Sequence, residues 1–179
     1  MRKALLLSAF LAVAAASQAA SVTIDVTGAT SAGFFADPGN SVFTQNIGAG
    51  STVTGIEFNV NVTAYDPSLL YELAWAVYPT GALDGVSDYL SYNPSDDRPG
   101  TGTISSGGLL NFDSESFEVG ADGLLNLELF EDFDDDGLDA LYNSGSFTVH
   151  YTNAVPEPAS MAALGFGALA LLRRRRKSA

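Results

Sequence analysis

An apolar residue recurs at every second position over several short stretches of the chain. These stretches are residues 22–26, 56–64, 71–77, 125–129 and 147–151. A period of two places successive side chains on opposite faces of a β-sheet, so each stretch predicts a strand with one buried face. The longest of them, residues 56–64, alternates Ile, Phe, Val, Val and Ala with Glu, Asn, Asn and Thr.

Segments rich in Gly, Pro, Asn, Asp and Ser separate these stretches. They lie at residues 37–40, 79–81, 93–100 and 105–108, and no convincing amphipathic helix stands between them. Short strands at this spacing predict an all-β fold, a single antiparallel β-sandwich of the jelly-roll-like kind. The predicted body, residues 21–154, has the length of one ordinary domain.

The N-terminal 20 residues have the three parts of a secretory signal peptide. Arg2 and Lys3 precede an apolar stretch at residues 4–16, and small residues then allow cleavage after Ala19 or Ala20. As a helix the apolar stretch would cover about 20 Å, whereas a bilayer core is about 30 Å thick. We therefore favour removal of residues 1–20 by signal peptidase over a permanent N-terminal anchor.

The C-terminal segment, residues 155–179, also has three parts. Pro156 and Pro158 keep its beginning extended, and an apolar stretch at residues 159–172 predicts a short hydrophobic helix of about 21 Å. A basic cluster follows, formed by Arg173, Arg174, Arg175, Arg176 and Lys177. Positive charge beside an apolar segment holds that side in the cytoplasm, so the segment predicts a stop signal at the end of export.

This order of parts resembles the PEP-CTERM sorting signal of Gram-negative bacteria. The residues that carry the resemblance at its motif are Val155, Pro156, Glu157, Pro158, Ala159 and Ser160. The resemblance implies transient anchoring in the inner membrane, recognition of Pro156 to Pro158 by an exosortase, and cleavage near that motif. It further implies release to the cell surface or the extracellular matrix, in bacteria that make exopolysaccharide. A plain C-terminal anchor without a sorting enzyme is the alternative.

Removing both ends leaves a strongly acidic body. Of 21 acidic residues only Glu157 lies beyond residue 154, so the body carries 20 against one basic residue, Arg98, a formal charge of about −19. Such a body repels DNA, RNA and anionic lipid, so we expect no nucleic-acid partner. Cations, basic proteins or neutral sugars, including exopolysaccharide, are the partners that the charge allows. The chain has no cysteine, so no disulfide stabilises it.

Two parts of the body resemble the P domains of proprotein convertases. These parts are residues 54–67 and the acidic segment 131–139 with the following stretch 144–149. P domains are galactose-binding-like β-sandwiches, so the resemblance implies a stabilising or binding module rather than a catalyst.

The acidic segment contains a D-x-D-x-D-G series at residues 132–137, which is the first half of a calcium loop. A Ca²⁺ ion there would take as ligands Asp132, Asp134, Asp136, the carbonyl of Leu138, and Asp139. The twelfth position is Asn143 rather than Glu, and the flanks predict strands, so we do not expect an EF-hand. A solvated acidic turn that prevents edge-to-edge pairing of sheets is the alternative.

Catalysis has little support in the sequence. The one histidine, His150, falls on the polar face of the last predicted strand, and neither a second His nor a Cys exists to bind zinc. No G-x-S-x-G elbow accompanies the serines. No pair of carboxylates stands out for glycoside hydrolysis. We therefore predict that the protein is not an enzyme.

Aromatic residues offer the remaining chemistry. Trp75 shares its parity with Leu73 and Val77, which predicts a core position, whereas Tyr89 and Tyr92 lie in a predicted loop and are free to stack on a ligand. Arg98 is expected to pair with Asp96 or another carboxylate.

These observations together predict an exported structural or adhesive module that works among extracellular polysaccharides. A carbohydrate-binding, lectin-like module and a small hydrolase of matrix glycans are the alternatives.

Overall fold

The structure of the protein is a computed structural model that describes residues 18–133 and 137–153. Gln18–Ala154 form one compact unit. Within the described residues the regular elements are strands and three short 3₁₀ helices, Leu70–Glu72, Pro94–Asp96 and Asp113–Glu115. In that same part of the chain, none of the helices has the length and apolar character needed to cross a membrane.

The strands are numbered in chain order. They are β1 (Ala19–Asp25), β2 (Thr30–Ser31), β3 (Ser41–Asn46), β4 (Thr52–Ala64), β5 (Leu73–Pro79), β6 (Val86–Tyr89), β7 (Gly100–Ser105), β8 (Leu110–Asn111), β9 (Phe117–Glu118), β10 (Leu124–Glu131) and β11 (Ala140–Thr152).

The strands form two antiparallel sheets. The first sheet has the order β1-β11-β4-β7, with β2 beside β11 and with β8 and β9 beside β4. The second sheet has the order β3-β10-β5-β6. The architecture confirms the predicted all-β sandwich and agrees with the resemblance to P-domain-like sandwiches. Residues 1–17 of the predicted signal peptide and the predicted sorting helix lie outside the described residues, whereas Ala19 and Ala20, at the predicted cleavage site, form the start of β1.

The alternating apolar side chains of both sheets meet in one core. Phe58 of β4 packs against Phe147 of β11, with ring centroids 5.0 Å apart, and against Trp75 of β5 at 6.4 Å. Trp75 is only 1% exposed and stacks on Phe112, which confirms its predicted core position. Aromatic packing therefore joins the two sheets at the centre of the sandwich.

The first and last strands of the body are neighbours. Ala19 of β1 lies opposite Thr152 of β11, and the amide of Asn153 donates to the carbonyl of Gln18 at 3.0 Å. Because both ends meet within one sheet and residues 18–154 form one compact unit, we expect this segment to fold on its own.

The second sheet is buried on both faces only at its centre, along β5 and at residues 127–129 of β10. Residues 32–40 cover its outer side, where the ring of Phe35 makes an edge contact with Tyr78 at 5.2 Å and packs on Phe130 at 5.5 Å. Alternation predicts a solvent-facing side chain for Glu128 of β10, but the structure buries it to 1% exposure. The reason is this covering segment, which the strand pattern does not encode.

The buried carboxylate of Glu128 is satisfied by three donors. Its Oε1 accepts from the amide of Ala36 at 2.7 Å and from Nδ2 of Asn40 at 2.9 Å, and its Oε2 accepts from the hydroxyl of Tyr78 at 2.7 Å. Burial and the Glu128 carboxylate together raise the pKa of Tyr78 far above its usual value, so the phenol stays a donor. Glu128 thus fastens the covering segment to the sheet.

We predict that Tyr78→Phe lowers the free energy of unfolding by about 1–3 kcal/mol, because it removes a donor from a buried carboxylate while keeping the ring contact. Tyr92→Phe is the matched control: its hydroxyl also donates to a carboxylate, that of Asp88, but the side chain is 72% exposed. We expect a change within about 0.5 kcal/mol for the control. Urea denaturation of both variants measures the difference, and equal losses would contradict a special role for the buried bond.

Candidate functional site

The predicted sorting segment begins close to the end of the sandwich. Strand β11 ends at Thr152, three residues before Val155. The motif at 155–160, the apolar stretch at 159–172 and the basic cluster at 173–177 lie outside the described residues, as does the predicted signal peptide before residue 18.

The predicted calcium ligands are only partly described. Asp134 and Asp136 lie outside the described residues, Asp132 lies on the surface after β10, and the side chain of Asp139 is buried at 2% exposure. Within residues 18–133 and 137–153, no three His, Cys, Asp or Glu side chains are grouped so that they could hold a metal ion. Calcium binding stays a prediction.

Asp139 belongs to a buried polar cluster that the sequence pattern does not predict. Its amide donates to the carbonyl of Ser31 at 3.1 Å, and the Ser31 hydroxyl donates to Oε1 of fully buried Glu131 at 2.9 Å. Tyr142 is buried beside them, and burial together with the charge of Glu131 strongly raises its pKa. The Ser31 bonds join β2 to the two ends of the acidic segment, so Glu131 and Asp139 contribute to the interior of the sandwich.

His150 lies on the open face of the first sheet, as alternation predicts. Its Nε2 is 3.1 Å from Oε1 of Glu57, and the two side chains are 31% and 44% exposed. A serine protease-like arrangement needs a nucleophile on the other side of the imidazole. In the structure this histidine forms a surface pair with Glu57 on the neighbouring strand.

Three tyrosines converge on a cleft at one end of the second sheet, which we call the tyrosine cleft. Tyr71 precedes β5, Tyr89 ends β6, and Tyr92 follows in the next loop. The cleft has a volume of about 300 Å³, and its other lining residues are Ser91, Asn93, Pro94 and Asp97. The structure therefore brings together Tyr89 and Tyr92, the two tyrosines predicted to be free to stack on a ligand. It adds Tyr71, which the alternating pattern assigned to a strand but which lies in the 3₁₀ helix before β5.

Carboxylates hold the rings of the tyrosine cleft. The Tyr89 hydroxyl donates to Oδ2 of Asp132, and the Tyr92 hydroxyl donates to Oδ1 of Asp88. The bond to Asp88 raises the pKa of Tyr92 to about 12, and the bond to Asp132 raises the pKa of Tyr89. The rings of Tyr89 and Tyr92 meet edge to face, with centroids 5.6 Å apart. Both phenols therefore remain neutral at physiological pH.

The local structure after β6 explains how the cleft forms. The Asn93 side chain accepts from the amide of Ser95 at 3.1 Å and caps the 3₁₀ helix Pro94–Asp96, while the Ser91 hydroxyl donates to Asp96 at 2.5 Å. This tight turn folds the loop back toward Tyr71 and leaves Tyr92 at the rim.

Among the described residues, Arg98 does not form the ion pair predicted for it. Its Nη1 donates to the carbonyl of Pro99 at 3.3 Å, and in the part of the chain that the structure describes it forms no salt bridge. Asp96 instead accepts a hydrogen bond from the Ser91 hydroxyl, and this bond stabilises the loop.

A family model of the PEP-CTERM protein-sorting motif matches residues 154–177. The match confirms the sorting motif predicted from the sequence. It indicates a surface protein that an exosortase targets, and it implies export and surface localisation by that route. No curated protein matches the chain.

Several solved structures are similar to the body. The structure of the infectious bursal disease virus Gx strain has 12% identity and a TM-score of 0.39, over 78% of this chain and 34% of that chain. The VP2 subviral particle of the same virus has 9% identity and a TM-score of 0.37, also over 78% and 34%. The maize chlorotic mottle virus structure has 9% identity and a TM-score of 0.29, over 79% and 97%. The chain spans about a third of the length of the bursal disease virus chains.

We predict that millimolar Ca²⁺ raises the melting temperature of the body by about 3–10 °C if the acidic segment binds it with the affinity usual for extracellular sites. Asp134→Ala should remove this shift, because it deletes a central ligand. Asp84→Ala, in the exposed turn between β5 and β6, is the control and should keep it. A melting temperature unaffected by Ca²⁺, or a shift that survives Asp134→Ala, would contradict the predicted ligand set.

Proposed function

We propose that the protein is a non-catalytic structural or adhesive module that an exosortase processes and that associates with exopolysaccharide at the cell surface. The observation that carries the proposal is the sorting motif at residues 154–177, joined within a few residues to a sandwich that folds as a unit. The acidic surface supports the same assignment, because it disfavours anionic lipid and nucleic acid and leaves sugars and cations as partners.

The absence of catalysis is part of this proposal. It is supported by the surface position of His150 and by the use of Glu128, Glu131 and Asp139 inside the sandwich. These buried carboxylates have structural partners, so they are poor candidates for the pair of acids that glycan hydrolysis requires.

A carbohydrate-binding, lectin-like role is the second candidate, and the tyrosine cleft favours it. Aromatic faces stack on the apolar faces of sugar rings, and the side chains of Ser91, Asn93 and Asp97 offer hydrogen-bonding groups at the same place.

Sorting by proteolysis predicts a specific mass. The protein recovered from the surface or medium of its native host should lack residues 1–20 and everything beyond the Pro156 to Pro158 region. Intact-mass spectrometry measures this directly, and extra mass at the new C-terminus would identify an attached acceptor. A mass that still includes residues 173–179 would contradict exosortase processing and favour a permanent anchor.

Association with polysaccharide predicts co-sedimentation. We expect the purified body, residues 18–154, to sediment with the host's extracellular polysaccharide in a saturable manner and to stay in the supernatant without it. Heat-denatured body is the control for protein that sediments only because it is physically trapped in the polysaccharide. A body that stays in the supernatant at every polysaccharide concentration would contradict the proposed function.

A further inference from the structure

The tyrosine cleft combines aromatic faces with negative charge. Asp97 lines it directly, and Asp88 and Asp132 stand behind the rings as acceptors of the phenol protons. Within the described residues no Lys or Arg lines the cleft. Aromatic faces next to carboxylates attract a cation, because the face of the ring and the carboxylate both present negative potential to it.

A second cleft lies on the other side of Asp88. It has a volume of about 430 Å³ and is lined by Trp75, Asp88, Asp113 and Glu115 among others, again with no basic residue of the described chain. The indole Nε1 of Trp75 is buried and donates to no described residue. A buried donor without a partner costs free energy, so a ligand oxygen that reached it would be favoured.

Asp88 connects the two clefts. It lies opposite Trp75 in the pairing of β6 with β5, lines the second cleft, and accepts the hydroxyl of Tyr92 from the first. Strand β6 is an edge strand of its sheet. A ligand with repeated units can therefore meet both clefts along one edge of the sandwich.

We propose that these two clefts form a binding site for an amino-sugar polymer whose amines are protonated. This inference rests on the proposed association with polysaccharide and names the class of sugar. The pyranose faces stack on Tyr89 and Tyr92, and the ammonium groups lie against Asp97 and Asp88. The sugar hydroxyls form hydrogen bonds with the polar groups of the cleft, as in other concave sites where a few polar groups fix the orientation of the ligand.

The charge of the site distinguishes this class from others. An anionic polysaccharide would bring like charges toward Asp88 and Asp97 and be repelled. A neutral sugar would stack on the rings but leave the carboxylates without a cation. The phenols also remain neutral, because hydrogen bonds to Asp88 and Asp132 raise the pKa values of Tyr92 and Tyr89, so their faces add no repulsion of their own.

The test is a titration of the body, residues 18–154, with a hexamer of β-linked glucosamine at a pH where its amines are charged. The matched neutral probe is the fully N-acetylated hexamer. Calorimetry gives the affinity, and fluorescence of the single tryptophan, Trp75, reports occupancy of the second cleft. We expect the charged hexamer to bind at least about tenfold more tightly than the neutral one and to change the fluorescence.

Variants separate the site from general attraction to an acidic body. Asp97→Asn and Tyr92→Ala should each weaken binding of the charged hexamer about tenfold, because one removes the cation's partner and the other a stacking face. Asp84→Asn removes a charge at the opposite end of the β5–β6 hairpin, and Tyr65→Ala removes a 40% exposed tyrosine elsewhere. Both controls should bind like the unchanged body, and melting curves should show that all four variants are folded.

Four results would overturn the inference. Equal affinity for the two hexamers would show that the amines do not contribute to binding. If Asp97→Asn and Asp84→Asn lowered the affinity for the charged hexamer equally, the attraction would be a nonspecific effect of charge. Failure to bind the charged hexamer while the body still sediments with host polysaccharide would place the sugar site elsewhere and leave the proposed function intact. Failure in both assays would reject the proposed function as well.

Discussion

The sandwich depends on the pairing of β11 with a strand on each side. β1 lies along one edge of β11 and β4 along the other, over registers that place Phe147 and Val149 in the core. A slip by one residue would turn both side chains to solvent, so burial fixes the register. The register between β11 and β4 shifts between Tyr142 and Ser144. Gly145 follows this shift with a φ of +123°, and a Cβ there would lie 2.3 Å from the carbonyl oxygen of Asn59.

This pairing also places the predicted N-terminal cleavage site beside the end of β11, since Ala20 lies opposite Tyr151. The predicted cleavage after Ala20 would remove the first two residues of β1, but pairing from Ser21 opposite His150 through Asp25 would remain. At the other end only Asn153 and Ala154 separate β11 from the sorting motif. Among the described residues, these cleavages would remove only residues 18–20, none of which is buried, so the described core would stay complete.

The elements that the sequence predicts are those in which apolar residues recur at every second position. Alternation identified the strands that became β1, β4, β5, β10 and β11, because each has one face in the core. It did not find β2, β8 or β9, which are two residues long and have too few positions to show a period. It also did not find β3, β6 or β7, in which too few apolar residues recur at every second position. It also could not show that residues 32–40 cover the second sheet, since the burial of Glu128 depends on donors from Ala36, Asn40 and Tyr78 that are distant in sequence.

The candidate site was predictable only in part, for a related reason. Tyr89 and Tyr92 were recognisable as free aromatics, but the bond from Tyr89 to Asp132 is a tertiary contact, and the bond from Tyr92 to Asp88 depends on the conformation of the loop after β6. Charge acts at two ranges here. At physiological ionic strength a surface charge is screened beyond about 8 Å, so most of the body's negative charge can only attract a cationic polymer in general terms. Selection among such polymers requires carboxylates in contact with a shaped surface, and Asp97 and Asp88 meet this requirement because aromatic side chains line the same clefts.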